Sequence, residues 1–204
     1  MSNSVEFEVL IPRGLCLFED NVNINIEVED FCSASITWKN GFVSELKPLK
    51  IKNKKPKKIL FPRFVEVHSH FDKSFISDVF PNLKSNYEGA LAANLLEHKT
   101  RTTKKVLERV EKSLNLAIKN GYRAIRSHID TYQNQGNEIW IKLFNLQKNY
   151  STKLKLQFVA LSPLDFWDTE NGKALAKEFS SHKVILGGVC LLYTSPSPRD
   201  SSQS

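Results

Sequence analysis

Two histidines with a single residue between them are the part of this sequence best suited to chemistry. His68 and His70 end a stretch of strand character over residues 64–70, and side chains two apart on a strand lie on the same face. With a rise of about 3.3 Å per residue, their Cα atoms lie roughly 6–7 Å apart, so both imidazoles can reach one divalent metal ion. By itself the pair also fits two ordinary histidines at a strand end. The residues on either side of the pair are therefore needed to decide between a metal-binding role and no functional role.

The elements around the pair predict a parallel sheet. From residue 59 onward the apolar pattern alternates between strands and helices, which indicates right-handed β-α-β crossovers. The predicted strands cover residues 64–70, 123–129, 155–161 and 184–189, and the predicted helices cover residues 87–99, 103–120, 138–149 and 172–180. Because parallel α/β proteins place active sites at the carboxyl ends of their strands, the position of His68 and His70 favours a functional site.

A small β unit and a basic linker precede this region. Residues 22–29 alternate apolar and polar side chains, and residues 35–43 predict a hairpin whose Asn40-Gly41 turn needs positive φ angles. Seven lysines without an acidic neighbour lie between Lys47 and Lys58. The predicted organisation is therefore a β unit with its linker over residues 1–58 and an α/β region over residues 59–189.

Several motifs in a fixed order resemble the amidohydrolase superfamily, and its cytosine deaminase-like branch in particular. The first is Pro-Arg-Phe-Val-Glu-Val-His-Ser-His-Phe-Asp-Lys at residues 62–73. The second is Arg-Ser-His-Ile-Asp at residues 126–130, and residues 156–160 and 187–189 are similar to the family's third and fourth strands. The resemblance covers residues 20–189.

This resemblance implies the N-terminal half of a metal-dependent (β/α)₈ barrel, and a hydrolase that acts on non-peptide C–N bonds. His68 and His70 would bind one divalent metal ion, iron or zinc, and metal-activated water would deaminate a pyrimidine-like or related cyclic amidine. The implied partner is a small-molecule substrate. The resemblance leaves open whether the intact protein forms a homo-oligomer. The proton-shuttling glutamate of the family is expected beyond Val189, so no catalytic acid or base is assigned.

The resemblance also implies what surrounds the metal. The residues expected to line the substrate pocket or to support it from behind are Asp72, Lys73, Arg126, His128 and Asp130. The alternatives at the second strand are a purely supporting role for His128 and a loop-capping role for Asp130. Asp72 and Lys73 are expected to enter a salt bridge that shapes the pocket, and Arg126 to pair with a buried acid such as Glu66.

The sequence also departs from the family pattern. Arg63 replaces the usual glycine after the proline, and Glu66 replaces the common aspartate. Residues 161–164 read Leu-Ser-Pro-Leu, without the glutamine with which cytosine deaminases read a pyrimidine. The resemblance therefore leaves the exact substrate and the identity of the metal open.

Composition restricts the remaining classes of function. The 204 residues carry 29 Lys and Arg against 22 Asp and Glu, and the resulting charge of +7 resides in the Lys47–Lys58 run. That run has no aromatic side chain to stack on bases, which favours a solvated linker over a nucleic-acid interface. With three scattered cysteines, no secretory signal and no apolar run near the roughly 18 residues of a membrane span, a cytoplasmic protein without a membrane partner is expected.

The C-terminal residues break the barrel pattern. Residues 190–200 read as the translation of a transposase-type sequencing adapter, so residues 190–204 are expected to be non-native, the alternative being a genuine Ser/Pro-rich tail. On the first interpretation the native sequence stops near Val189, after four of eight strands. We then expect the 204-residue chain to be inactive and prone to aggregate.

Two alternative functions stay open at this point. One is a barrel-type metal-dependent nuclease, whose first strand also reads His-x-His-x-x-Asp, although such enzymes begin almost at that motif. The other is a basic nucleic-acid-binding module built on the Lys47–Lys58 run.

Overall fold

The chain folds as two units, Met1–Pro62 and Arg63–Ser204. The computed structural model describes residues 4–18, 30–49, 56–131 and 136–189. The predicted strand over residues 22–29, the adapter-like tail over residues 190–204 and the middle of the lysine run lie outside the described residues.

The first unit contains a three-stranded antiparallel sheet. Its strands are β1 (Ser4–Pro12), β2 (Phe31–Lys39) and β3 (Phe42–Pro48), with β2 in the centre. The predicted hairpin joins β2 to β3, and its turn residues Asn40 and Gly41 have φ angles of 52° and 83°, as a tight two-residue hairpin turn requires. Among the described residues of this unit, the buried apolar side chains are Val9, Ile11, Cys32, Ala34 and Ile36.

The second unit is an α/β half-barrel of parallel strands, as the sequence predicted. Its elements in chain order are β4 (Phe64–Ser69), α1 (Tyr87–His98), α2 (Thr103–Lys119), β5 (Tyr122–Asp130), α3 (Gly136–Tyr150), β6 (Lys155–Pro163), α4 (Glu170–Ser181) and β7 (Ile185–Val189). The four strands pair in chain order, and every pair is parallel. Among the described residues, no helix is long and apolar enough to cross a membrane.

Local sequence explains where α2 begins and ends. The side chain of Thr102 accepts a hydrogen bond from the Lys105 backbone N–H at 3.3 Å, which caps the first turn. An apolar stripe that includes Val106, Val110 and Leu114 is buried along one face of the helix. Gly121 then has a φ of 80°, a conformation that glycine adopts without steric cost, and the chain enters β5 directly.

The two faces of the parallel sheet differ in character, and this difference positions the candidate site. On β5 and β6, one set of alternating side chains is buried with the apolar residues of the helices: Ile125, Ile129, Leu156, Phe158 and Ala160. The other set carries Arg126, His128 and Gln157 on the opposite face. Arg126 and His128 of the second motif therefore lie away from the helical layer.

Candidate metal centre

Three histidines converge where β4 and β5 end. The Nε2 atoms of His68 and His70 are 3.2 Å apart, and the ring of His128 stacks on that of His68 with centroids 4.2 Å apart. One nitrogen from each ring lies within 4.8 Å of the other two. The structure thus places His128, expected only to line or support the pocket, beside the predicted pair. These three residues are called the histidine trio below.

The pairing of the two strands explains this convergence. Ser69 of β4 is the register partner of Ser127 of β5, so the histidines that flank these serines lie side by side. Two hydrogen bonds hold this register: the Ser69 hydroxyl donates to the Arg126 carbonyl at 2.9 Å, and the Phe71 N–H donates to the Ser127 hydroxyl at 3.0 Å. The carboxyl ends of the first two strands are therefore tied together directly at the histidines.

The protonation of His70 and His128 suits these two residues to bind a cation. Burial lowers the pKa of His70 to about 4, and the charges of Lys73, His128 and His68 act in the same direction. Burial and then the neighbouring His68 also lower the pKa of His128. At neutral pH both rings are therefore neutral, and each has a nitrogen lone pair available as a ligand.

The trio fits a divalent metal ion by two criteria. Imidazole nitrogen is a preferred ligand of zinc, iron, copper and nickel. Two nitrogens at the usual zinc distance of about 2.0–2.1 Å in a tetrahedral site are about 3.3 Å apart. The 3.2 Å between the Nε2 atoms of His68 and His70 matches that separation. The Nδ1 atoms of His70 and His128 are buried and have no hydrogen-bond partner among the described residues.

Asp72 and Lys73 both enter ion pairs just behind the trio, with partners that the sequence did not identify. Lys73 Nζ lies 2.6 Å from Asp130 Oδ1, while Asp72 Oδ2 lies 3.7 Å from Arg101 Nη1. The Asp130 backbone N–H also donates to Asp72 Oδ2 at 3.1 Å. The Asp72 and Asp130 carboxylates are almost fully buried, so in this structure they brace the two strand ends.

A buried arginine–glutamate cluster continues this arrangement toward the helices. Arg101 donates to Glu97 Oε2 from Nε at 2.7 Å and to Asp130 Oδ2 from Nη1 at 3.2 Å. Arg109 Nη1 donates to Glu97 Oε1 at 2.6 Å. Below, the ion network means the six residues Asp72, Lys73, Glu97, Arg101, Arg109 and Asp130.

Within the ion network, the pKa of Asp72 is raised and the pKa of Glu97 is lowered. Burial and the neighbouring Asp130 carboxylate raise the pKa of Asp72 to about 6, although Lys73 and Arg101 oppose this shift. Burial alone would raise the pKa of Glu97, but hydrogen bonds from Arg101 and Arg109 outweigh it and lower that pKa. Glu97 is therefore ionised at neutral pH and contributes a full negative charge to the network.

Arg126 has a different partner from the one expected. Its Nε donates to Gln157 Oε1 on β6 at 2.7 Å, and Glu66 Oε1 instead accepts a hydrogen bond from the His68 backbone N–H at 2.9 Å. The register explains the correction, because Arg126 lies directly opposite Gln157, whereas Glu66 is aligned with Ile125. Arg126 and Gln157 thus form a polar pair across β5 and β6, and Arg126 lies two residues before His128 on β5.

Sequence reasoning missed the helical half of the ion network. Glu97 lies in the last turn of α1, and Arg101 lies three residues beyond the end of the helix, so the two are four residues apart and within reach of an ion pair. That spacing was the available signal for the pair. Nothing in the sequence pattern distinguishes Arg109, which is 12 residues from Glu97, from the other charged residues of α2.

Comparison with known proteins supports a deaminase relationship. No protein-family model matches the sequence. A pterin deaminase from Rhizobium rhizogenes is 33% identical to the chain over 110 residues, which make up 53% of this chain and 25% of that protein. The chain therefore spans about a quarter of the length of this curated relative.

Solved structures show the same fold. The 5-methylcytosine deaminase from Klebsiella pneumoniae, in complex with phosphonocytosine, superposes with a TM-score of 0.64 at 13% identity. That match covers 98% of this chain and 47% of the deaminase. The N-isopropylammelide isopropylaminohydrolase from Burkholderia multivorans gives a TM-score of 0.53 at 19% identity over 88% of this chain and 44% of that protein. The half-barrel fold and the resemblance to deaminases of the amidohydrolase superfamily are thereby confirmed.

Proposed function

We propose that this chain, whose relatives are deaminases of the amidohydrolase superfamily, carries the first part of a metal-dependent deaminase site. The proposed reaction is hydrolytic removal of an amino group, as ammonia, from a small cyclic amidine. The observation that carries the proposal is the convergence of His68, His70 and His128 at the carboxyl ends of two parallel strands. This is the edge at which parallel α/β enzymes bind and transform their substrates.

The three imidazoles would hold one divalent ion, iron or zinc. When bound, such an ion supplies a water whose pKa is lowered toward neutrality. The chain contributes neutral nitrogen ligands, because burial keeps His70 and His128 unprotonated at neutral pH. The ion network holds the two strand ends that carry these ligands, and Asp130 neutralises Lys73 beside them.

The substrate class follows from the relatives and from the open face of the sheet. A pterin deaminase and a 5-methylcytosine deaminase both act on ring systems that carry an amino group. Arg126 and Gln157 present a hydrogen-bonding pair on the same strand face as His128. These features support a nitrogen heterocycle with an exocyclic amino group as substrate, and they favour no single ring.

Metal binding by the trio is the direct test of the proposal. Titration of the full chain with Co²⁺ should give saturable visible absorption with one ion per chain, and His68→Ala or His128→Ala should abolish saturation in the micromolar range. His182→Ala is the matched control, because His182 stacks on Phe144 beside α4 and is outside the trio. A titration curve that His68→Ala leaves unchanged would contradict the proposed site.

Activity is tested on the whole protein that contains this sequence, because the relatives extend well beyond the chain. Ammonia release from pterin, cytosine and 5-methylcytosine should depend on added metal and disappear in His70→Ala. Release that persists in that variant at the unaltered rate would show that the trio is not the reaction centre.

A further inference from the structure

We infer that Arg101 is a positioning residue that sets the spacing of the histidine trio by joining the ends of β4 and β5. This inference rests on the proposed metal site, because it assigns Arg101 to the support of the same three histidines. Arg101 itself forms no hydrogen bond or ion pair with them, and it acts through Asp72, just after β4, and Asp130, the last residue of β5.

The contacts of Arg101 reach both strand ends at once. Its Nη1 lies 3.2 Å from Asp130 Oδ2 and 3.7 Å from Asp72 Oδ2. Asp72 comes two residues after His70, and Asp130 comes two residues after His128. A single guanidinium nitrogen therefore holds together the two short segments on which two members of the trio lie.

The rest of the guanidinium is fixed from the helical side. Nε and Nη2 both lie within hydrogen-bonding distance of Glu97 Oε2, at 2.7 Å and 2.6 Å, and Nη2 also donates to Asn94 Oδ1 at 3.2 Å. Only 1% of the Arg101 side chain is exposed, and none of Glu97 is. The planar fork of arginine makes all these contacts together, whereas the single ammonium of lysine cannot.

The charge count singles out Arg101 within the network. Three carboxylates, Asp72, Asp130 and Glu97, face three cations, Arg101, Arg109 and Lys73. Lys73 pairs with Asp130 alone, and Arg109 reaches the carboxylate of Glu97 alone. Arg101 is the one cation of the network that contacts all three carboxylates, so it adds a charged link to the hydrogen bond between the Asp130 N–H and Asp72.

Metal affinity distinguishes positioning from a simple charge effect, because the two predict opposite signs. Arg101→Met removes a positive charge near the trio, which on electrostatic grounds alone would strengthen the binding of a divalent cation. Loss of positioning instead weakens binding, by about 10–100-fold if Arg101 resembles other residues that orient metal ligands. Arg101→Lys keeps the charge and should show the same direction of change, together with altered Co²⁺ absorption bands.

The experiment is a Co²⁺ titration of the full 204-residue chain and its variants, with thermal unfolding followed in parallel. Arg13→Met is the control, because it makes the same substitution at an exposed position in the other unit and should leave affinity unchanged. Affinity in Arg101→Lys equal to that of the unaltered chain, or tighter binding in Arg101→Met, would overturn the inference. Absence of Co²⁺ binding by the unaltered chain would instead refute the proposed metal site.

A milder variant keeps the inference testable if both Arg101 substitutions prevent folding. Asn94→Ala removes the 3.2 Å hydrogen bond that orients the guanidinium without changing any charge. A folded Asn94→Ala chain should bind Co²⁺ more weakly, with changed absorption bands. A folded Asn94→Ala chain with unaltered affinity and unaltered bands would contradict the positioning role.

Discussion

Glu97→Gln should be among the most damaging single substitutions in the second unit. The Glu97 side chain is fully buried and takes contacts from two arginines: Arg101 at 2.6 and 2.7 Å and Arg109 at 2.6 Å. Glutamine has nearly the same shape, so the change leaves no cavity. What it removes is the negative charge that compensates two buried or half-buried guanidinium groups.

The magnitude follows from the cost of an unpaired buried charge. Removing one partner of a buried ion pair typically lowers the free energy of unfolding by about 3–5 kcal/mol. Glutamine also turns an N–H₂ group toward at least one arginine donor, which adds repulsion between donors. Because a domain of this size is stable by only about 5–15 kcal/mol, a loss of that size is a large fraction of the total.

The effect should depend on pH with a defined sign. Arginine hydrogen bonds lower the folded-state pKa of Glu97 below its ordinary value of 4.5. A carboxylate of this kind contributes stability at pH values above 4.5, and that contribution is lost as the pH falls through the lowered folded-state pKa. The difference between Glu97→Gln and the unaltered chain should therefore be largest at neutral pH and shrink in acid.

Urea unfolding followed by tryptophan fluorescence measures the difference. A Trp38→Phe background restricts the signal to Trp140 and Trp167, which both lie in the second unit. Glu178→Gln, at an exposed position on α4, is the control and should change the unfolding free energy by no more than about 0.5 kcal/mol. A Glu97→Gln loss below about 1 kcal/mol at neutral pH, or a loss that grows in acid, would refute the reasoning.

Three further predictions concern packing and the cysteines. Helix propensity alone predicts that Gly172→Ala stabilises α4 by up to about 1 kcal/mol, but the new Cβ would overlap the Phe166 carbonyl oxygen, so calorimetry should show a lower melting temperature. Phe179→Ala, at a fully buried site between α3 and α4, should cost about 3–5 kcal/mol in urea unfolding, and a loss below about 1 kcal/mol would show that the site collapses around the cavity. Cys16 and Cys32, with Sγ atoms 3.7 Å apart, should form an intramolecular disulfide when a thiol oxidant is added, and mass spectrometry should show the loss of two hydrogens. Because burial raises the pKa of Cys16 to about 12, the rate of this oxidation should increase with pH. The same loss of two hydrogens in Cys32→Ser would refute the pairing.

The parts of this protein that the sequence predicts are those set by local periodicity. The strand predicted over residues 123–129 is Tyr122–Asp130 in the structure. The apolar stripe predicts a helix over residues 103–120, and the helix is Thr103–Lys119. Asn40-Gly41 predicts its own turn, because few other residue pairs tolerate two positive φ angles. The His68–His70 pair is equally local, because a strand period of two alone puts both side chains on one face.

What the sequence could not predict depends on register and on contacts between distant segments. His128 joins the trio only because Ser127 pairs with Ser69, and a shift of one residue would turn its ring to the other face. The partner of Arg126 is decided in the same way by its alignment with Gln157. Cys16 and Cys32 look scattered in the sequence, yet a turn and a strand bring their sulfurs within 3.7 Å.

The ion network and the histidine trio are best understood as one arrangement repeated on two strands. At the end of each strand a histidine is followed two residues later by an aspartate: His70 by Asp72, and His128 by Asp130. Lys73 lies close enough to help lower the pKa of His70, and its ammonium would also repel a divalent ion there. Asp130, 2.6 Å from Lys73 Nζ, opposes that charge, while burial is the main cause that lowers the pKa of His70. We therefore expect the aspartates to serve the proposed metal site through the cations they contact, Asp130 through Lys73 and both aspartates through Arg101.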